Sequence, residues 1–514
     1  MKKFGYLLIS GLLIAFSFPT VLFGWPLPNL GFFAWFGLVP LIYVIRDTSP
    51  REAFRDGFFV ASLFFLISYY WIFNALHTFG HISPLPSLLT LLLLSLFMAL
   101  YIGAACFFAR LFVLKSKGEL LVWLPVFWTL LEWTRNYTPF GGFPWSNLAM
   151  SQTSYLPLIQ FADITGTYGI IFLLVWFNVW LTEAILKWEG REVSNFKSKT
   201  IVTALLLFLV VGYGVFQITK ENKIAANAPL LKIGLIQPNI PQEEKWNPTT
   251  ALKQKLVFTE AVQNMERNVD LIVWPEASFT EPVPLFDKWI SPEKIGLHGG
   301  TQKRPYTLLG LNFYRPQGES ERYLNSAAIV DATGMILDRY SKVHLVPFGE
   351  TIPLKKIFSF LTPLTEIGDF DAGTEVKPLG IENVGVGPLI CYEDIFPEIS
   401  RALVKKGASL LINMTNDAWY GVSSAPYQHL ALATLRSVET KRAMVRATNT
   451  GVTAVIGPTG RVIVKSPIFE RGVLIHQVPL LMGETPYTWL GDWFIAACFI
   501  LILWQGIKFY VQRN

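Results

Sequence analysis

The sequence predicts a multi-pass α-helical membrane domain, with about eight transmembrane helices, joined to a separate α/β domain. Three observations predict it. Of the 514 residues, 52% are hydrophobic and only 16% charged, where a soluble globular protein carries roughly 25% charged residues. The apolar residues are bunched into runs of about 20, the length that crosses a bilayer. These runs fill the first 220 residues and return once near the end. Between 224 and 485 the texture changes to short β-like runs alternating with helical stretches, as expected of a sheet layered with helices. The expected division is 1–220, 224–485 and 486–514.

The membrane-length runs lie near 5–23, 28–45, 57–76, 86–113, 119–135, 160–186, 200–218 and 488–507. Several contain Pro or Gly, which membrane helices tolerate because neighbouring groups satisfy the freed backbone. The first run, Tyr6 to Phe23 behind Lys2 and Lys3, has the outline of a signal peptide. No small-x-small cleavage site follows it, only Gly24-Trp-Pro-Leu-Pro28, so an uncleaved span is expected.

Flanking charges orient the runs. Lys2 and Lys3 precede the first. Arg46, Arg51 and Arg55 lie between the second and third, and Arg110, Lys115 and Lys117 between the fourth and fifth. Lys187, Arg191, Lys197 and Lys199 separate the sixth from the seventh; Lys508 and Arg513 follow the eighth. The alternate loops 24–28, 77–86 and 136–159 carry no Lys or Arg. Positive residues mark the cytoplasmic side, so both termini are expected there and 224–485 outside. These flanks account for much of the net charge of +6, and no long basic tract suggests nucleic acid. Few charges fall inside the spans, so no ion pathway is signalled. Glu132 and Asp163, near span ends, either bind headgroups or sit at the interface.

In the outer segment, strands are expected at Lys232–Gln237, Asp270–Trp274, Tyr306–Leu311, Ser326–Val330, Ile336–Arg339, Val384–Ile390, Leu410–Met414, Val452–Ile456, Arg461–Val464 and Val473–Gln477. Helices are expected over 250–268, 396–406 and 425–446. Of the three cysteines, Cys106 and Cys498 lie in apolar runs and read as small buried hydrophobes, so no disulfide is expected. Cys391 stands apart, at the end of an apolar run in Gly387-Pro-Leu-Ile-Cys-Tyr-Glu-Asp394.

Two further strand ends carry chemistry: Glu276 in Leu271-Ile-Val-Trp-Pro-Glu-Ala-Ser278, and Lys342 in Tyr340-Ser-Lys-Val-His-Leu-Val-Pro-Phe-Gly-Glu350. A carboxylate can take a thiol proton, and an ammonium can lower a thiol pKa and stabilise an oxyanion. Taken singly, each has an ordinary reading: Lys342 a solvated lysine, Glu276 a cap or loop acid, Cys391 a buried small side chain.

In order and context, Glu276, Lys342 and Cys391 resemble the Glu-Lys-Cys triad of the nitrilase, or carbon–nitrogen hydrolase, superfamily. That resemblance implies an αββα sandwich for the outer domain. A nitrilase-like domain inserted between the seventh and eighth spans resembles, over essentially the whole chain, the apolipoprotein N-acyltransferase family of the bacterial cytoplasmic (inner) membrane. Supporting pieces are Gln237-Pro-Asn-Ile-Pro-Gln242 with Trp246, Asn416-Asp-Ala-Trp-Tyr-Gly421 with Trp419, and Gly142-Phe-Pro-Trp145. Tyr420 replaces the Phe of many relatives.

The resemblance implies acyl transfer from a glycerophospholipid to the α-amino group of a lipoprotein's first, S-diacylglyceryl cysteine, with no metal and no other cofactor. It implies Cys391 as nucleophile, Glu276 as base and Lys342 as oxyanion partner, beside a backbone N–H near Tyr392. Glu350 and Glu393 are implied as supporting acids, with a plain loop carboxylate as the other reading of Glu350. Asn325 either serves the site or makes a turn. Tyr392 and Trp246 line the acyl pocket or pack the core, and Trp419 and Trp145 are further candidates for substrate binding. The segment Pro353-Leu-Lys-Lys-Ile-Phe-Ser-Phe-Leu-Thr-Pro-Leu364, with Phe358, Phe360 and Leu361, is either a lipid-facing arm or a packed lid. A membrane-anchored nitrilase-type amidase is the alternative enzyme, but one span would anchor a hydrolase. A scaffold or transporter with a degenerate domain is the non-enzymatic alternative, and the intact triad speaks against it.

Overall fold

The computed structural model describes residues 2–116, 118–265, 268–297, 305–317, 320–353 and 370–513. The chain divides into two compact units. One holds Met1–Phe73, Ser83–Thr219 and Leu490–Asn514; the other holds Asn74–Ile82 and Lys220–Trp489.

The first unit is helical. Four helices are long and apolar enough to cross a membrane: Pro84–Lys115, Thr167–Trp188, Phe196–Ala226 and Trp493–Val511. Pro50–Ser68 and Trp71–Phe79, bent by 48°, make a fifth if taken together. Lys2–Phe16 has 15 residues, and Gly31–Ile45 and Leu120–Thr134 are also short. At 1.5 Å per residue, 15 residues reach about 22 Å, less than the roughly 30 Å hydrocarbon core. Length and apolarity thus qualify four or five helices among the described residues rather than eight. The expected first span, 5–23, stops at Phe16 because the chain turns back in a two-residue hairpin pairing Val21–Leu22 with Trp25–Pro26. Its tip, Phe23 and Gly24, has positive φ at both positions (50° and 83°), the backbone such a hairpin turn requires.

Buried charge in this unit is compensated locally. Glu132, 3% exposed, accepts from Arg135 Nη1 at 2.7 Å. Asp163, 1% exposed, accepts from Tyr213 (2.8 Å) and from Gln217 (2.9 Å). Both acids are therefore internal, which corrects the expectation of headgroup or interface positions. An unpaired charge there would cost several kcal/mol, so the partners are a condition of burial.

The second unit is a two-sheet sandwich. Its strands are β1 (Leu230–Gln237), β2 (Leu271–Val273), β3 (Phe279–Pro284), β4 (Tyr306–Gln317), β5 (Ser320–Val330), β6 (Ile336–Ser341), β7 (Leu379–Ile381), β8 (Val384–Ile390), β9 (Leu410–Thr415), β10 (Met444–Thr448), β11 (Ala454–Ile456), β12 (Val462–Lys465) and β13 (Gly472–Pro479). One sheet runs β13-β1-β2-β4-β5-β6, with β3 beside β4; the other runs β12-β11-β10-β9-β8-β7. The pairs β1–β2, β2–β4, β8–β9 and β9–β10 are parallel. Parallel strands are buried on both faces, which is why Leu271-Ile-Val273 and Leu410-Leu-Ile412 read as unbroken apolar runs.

Period-two alternation divides the side chains. Leu231, Ile233, Leu235, Leu271, Val273 and Leu308 pack between the sheets against Val386, Ile390, Ile412 and Val445. Ile236, Ile272, Leu309 and Leu311 face outward, against Phe258 and Val262 of helix α1 (Ala251–Gln263). Helices α2 (Pro397–Lys405) and α3 (Ala425–Thr440) accompany the other sheet. The helix expected over 425–446 ends at Thr440. Lys441 turns left-handed (φ 49°), and Met444–Thr448 becomes a central strand.

Candidate active site

Strand ends deliver the candidate residues. Glu276 follows β2, Lys342 follows β6 and Cys391 follows β8. The Trp-Pro-Glu turn passes hard against β4 at Gly310. A Cβ there would lie 2.1 Å from the Pro275 carbonyl oxygen and 2.9 Å from the Glu276 Cα. Glycine is therefore a steric requirement for the path of the carboxylate-bearing loop.

Four side chains converge. Asn325 Nδ2 donates to Glu276 Oε1 (2.8 Å) and to Glu350 Oε1 (2.7 Å). Lys342 Nζ lies 2.8 Å from Glu350 Oε2 and 3.5 Å from Glu276 Oε1, with its side chain 1% exposed. The backbone N–H of Asn416 donates to Glu276 Oε2 at 3.1 Å, and Val346 N–H donates to Glu350 Oε2 at 2.8 Å. Burial by itself would depress the Lys342 ammonium; Glu350 and Glu276 overcome it and hold the lysine above its ordinary value. It is a permanent cation at neutral pH.

Cys391 adopts φ 51°, an uncommon conformation for a side chain with a Cβ, costing roughly 1–3 kcal/mol. Two side chains, Asn413 and Glu393, hold this turn. Asn413 Nδ2 donates to the Cys391 carbonyl at 3.1 Å. Glu393 accepts from Ile390 N–H (2.8 Å), Tyr340 hydroxyl (2.7 Å) and Val343 N–H (2.8 Å). Glu393 thus ties the Cys391 turn to the Lys342 segment. Burial pushes its carboxyl up to about 7. Burial also pushes the Cys391 thiol well above its ordinary value, and Glu276 adds to this; Lys342 pulls the other way without prevailing. The resting sulfur is a thiol, and a base is needed to ionise it during attack.

The remaining candidates scatter. Tyr392 is 5% exposed and rests on Phe396, ring centroids 5.1 Å apart. Trp246 is half exposed, beside Lys245. Trp419 is partly buried in the short turn Asp417–Tyr420. Trp145 belongs to the helical unit, where it is fully buried and its carbonyl accepts from the Tyr69 hydroxyl at 2.9 Å. Phe358, Phe360 and Leu361 lie outside the described residues.

Two features escaped the sequence reading. Lys245, 5% exposed, donates to the Glu276 carbonyl at 3.0 Å. In the run Glu243-Glu244-Lys245 it looks like a solvated charge. The second is a buried network: His429 Nδ1 meets Asp417 (2.9 Å), His429 Nε2 meets Asp394 (2.8 Å), and Arg446 pairs with Asp394. Asp394 adjoins the Cys391 turn and Asp417 follows Asn416, so the network fixes two backbone segments that bear on the site. Its four members lie at 394, 417, 429 and 446, on separate elements, so no local spacing signals them.

Facing sheets with Glu, Lys and Cys at strand ends define the class as a carbon–nitrogen hydrolase domain, and residues 232–487 match the family model of that description. Residues 10–180 match the model described as the apolipoprotein N-acyltransferase N-terminal domain. The apolipoprotein N-acyltransferase of Geobacter metallireducens is 36% identical over 505 residues, spanning 95% of this chain and 92% of that protein. That of Nitrosomonas europaea is 32% identical, spanning 90% and 89%. A carbon–nitrogen hydrolase structure from Helicobacter pylori G27 is 15% identical, covering 49% of this chain and 89% of its own, with TM-score 0.35. The chain belongs to the apolipoprotein N-acyltransferase family. It is an acyltransferase built from a carbon–nitrogen hydrolase domain and an apolar helical region.

Proposed function

We propose that the enzyme moves an acyl chain from a glycerophospholipid, through a thioester on Cys391, to the α-amino group of the S-diacylglyceryl cysteine at a lipoprotein N-terminus. The observation that carries this reading is the buried Glu276–Lys342–Glu350 cluster, with the Cys391 thiol in its field.

Cys391 attacks the ester carbonyl while Glu276 takes its proton. Lys342, held cationic by Glu350 and Glu276, stabilises the oxyanion. As the tetrahedral intermediate collapses, the C–O bond breaks and the Glu276 proton passes to the departing lysophospholipid. The lipoprotein amine then attacks the thioester. Glu276 accepts its proton, the C–S bond breaks, and the Cys391 thiol is restored as the amide forms. A water-poor site suits a thioester, because hydrolysis would waste it.

In this reading the chain crosses the bacterial inner membrane eight times, with both termini cytoplasmic. Residues 1–220 form the membrane domain, 224–485 the catalytic domain on the periplasmic or outer side, and 486–514 the last helix and tail. The charge alternation of the loops supports this orientation. The three short helices would cross where the bilayer thins or with their flanking residues.

Purified enzyme mixed with phospholipid alone is expected to release lysophospholipid and to gain the mass of one acyl chain at Cys391. Amide hydrolysis with no adduct would instead establish the amidase.

A further inference from the structure

We infer that Lys245 is a positioning residue of the acyl-transfer centre, gripping the backbone of Glu276 and supplying a second cation to a site that must accommodate a thiolate. The inference rests on the covalent reading above.

The short turn Gln242–Lys245 holds Glu276 in two places. Lys245 Nζ donates to the Glu276 carbonyl at 3.0 Å. Gln242 Oε1 accepts from Asn416 Nδ2 at 2.8 Å, and the N–H of that same Asn416 donates to the Glu276 carboxylate at 3.1 Å. Both the backbone and the carboxylate of the base are thus referred to one turn of chain. Lys245 itself is 5% exposed, with the Trp246 ring centroid 5.7 Å from its ammonium. Among the described residues no carboxylate lies within ion-pair distance of it. A buried ammonium satisfied by one carbonyl is costly to keep.

Charge balance gives it a use. Glu276 and Glu350 carry two negative charges, and Lys342 cancels one. With Lys245 protonated the four groups are neutral. When Glu276 takes the Cys391 proton, the thiolate forms beside a net positive charge from Lys342 and Lys245 against Glu350; without Lys245 the groups around it sum to zero. Burial depresses Lys245 to about 8, while the charges of Glu276 and Cys391, the groups facing it from the strand ends, pull it up. On its own turn are Glu243 and Glu244, the latter already paired with Lys253 at 2.8 Å. The centre therefore loses a cation as pH rises through about 8.

The test follows Cys391 acylation by phospholipid alone, across about pH 6 to 10, in the wild type, K245M and K245R. The wild-type rate is expected to fall above pH 8. K245M is expected to be about tenfold slower at pH 7, as one pKa unit on the thiol implies, and to lack that alkaline fall. K245R, whose guanidinium keeps its charge, is expected to recover part of the rate and carry it to higher pH. K245M with wild-type rate and profile overturns the inference. Should K245M fail to fold, K245R decides alone: an alkaline fall unchanged from wild type overturns it. A wild type that forms no adduct sinks the covalent reading itself.

Discussion

Asn325 connects two carboxylates through one nitrogen, 2.8 Å from Glu276 and 2.7 Å from Glu350. Two carboxylates this close repel, and the amide donor with the Lys342 ammonium between them offsets that repulsion. N325D would add a third acid and remove the donor. Its kcat/KM for acyl transfer is expected to drop at least about a hundredfold with folding retained; a near-normal value would remove Asn325 from the machinery. C391S is expected to fold and to give no transfer, read by loss of amide product; normal turnover would end the covalent mechanism. The His429 network makes a prediction about stability. Burial opposes the imidazolium, but Asp394 and Asp417 overcome that and raise it from 6.5 to about 9. A raised folded-state value stabilises the protein fully below pH 6.5 and is lost as pH rises through about 9. The stability advantage of wild type over H429Q is therefore expected to shrink across that window, by on the order of 3 kcal/mol. Thermal unfolding at several pH values checks this, and parallel curves would refute it.

At the scale of elements, strands and their ends set the geometry. Gly310 shows how tightly: in G310A the new methyl would meet the Pro275 carbonyl, so either β4 or the Glu276 loop must move. A loss of several degrees in melting temperature and a larger loss in kcat are expected, since misplacing a base costs rate more than stability. Unchanged activity would mean that the loop tolerates the shift. The motifs at the ends of β2 and β8 were legible because each is an apolar run closed by a reactive residue, and the one after β6 because Lys342 and Glu350 stand in a weakly charged stretch. Strand β10 was not. It follows helix α3 after three residues, with no glycine or proline to announce the stop, and its apolar pattern continues the helix. Only its pairing with β9 and β11 makes it a strand. The two-residue hairpin after Phe16 was hidden for the same reason, since Val21 and Leu22 look like more of the preceding helix.

At the scale of the whole molecule, the membrane orientation is a claim about charge. Reporters fused after Asn514 are expected to read as cytoplasmic, and reporters inserted after Gly24 or His81 as external. A cytoplasmic reading in the loop at His81 would overturn the alternation of the first four runs. Counting crossings this way also decides whether Lys2–Phe16, Gly31–Ile45 and Leu120–Thr134 span the bilayer, which their length leaves open.

The sequence by itself determined the apolar helical region and the α/β segment, and it singled out Glu276, Lys342 and Cys391 as candidates. Composition, run length and residue type are local properties, and each motif carries its own chemistry. Tertiary structure decided which groups meet. Asn325, Glu350, Lys245 and the Asn416 amide lie up to 171 residues apart in the chain, and no local pattern relates them. Strand pairing within each sheet and packing of the two sheets bring them to one place, and burial there turns ordinary polar side chains into partners that cannot be removed without leaving a charge uncompensated.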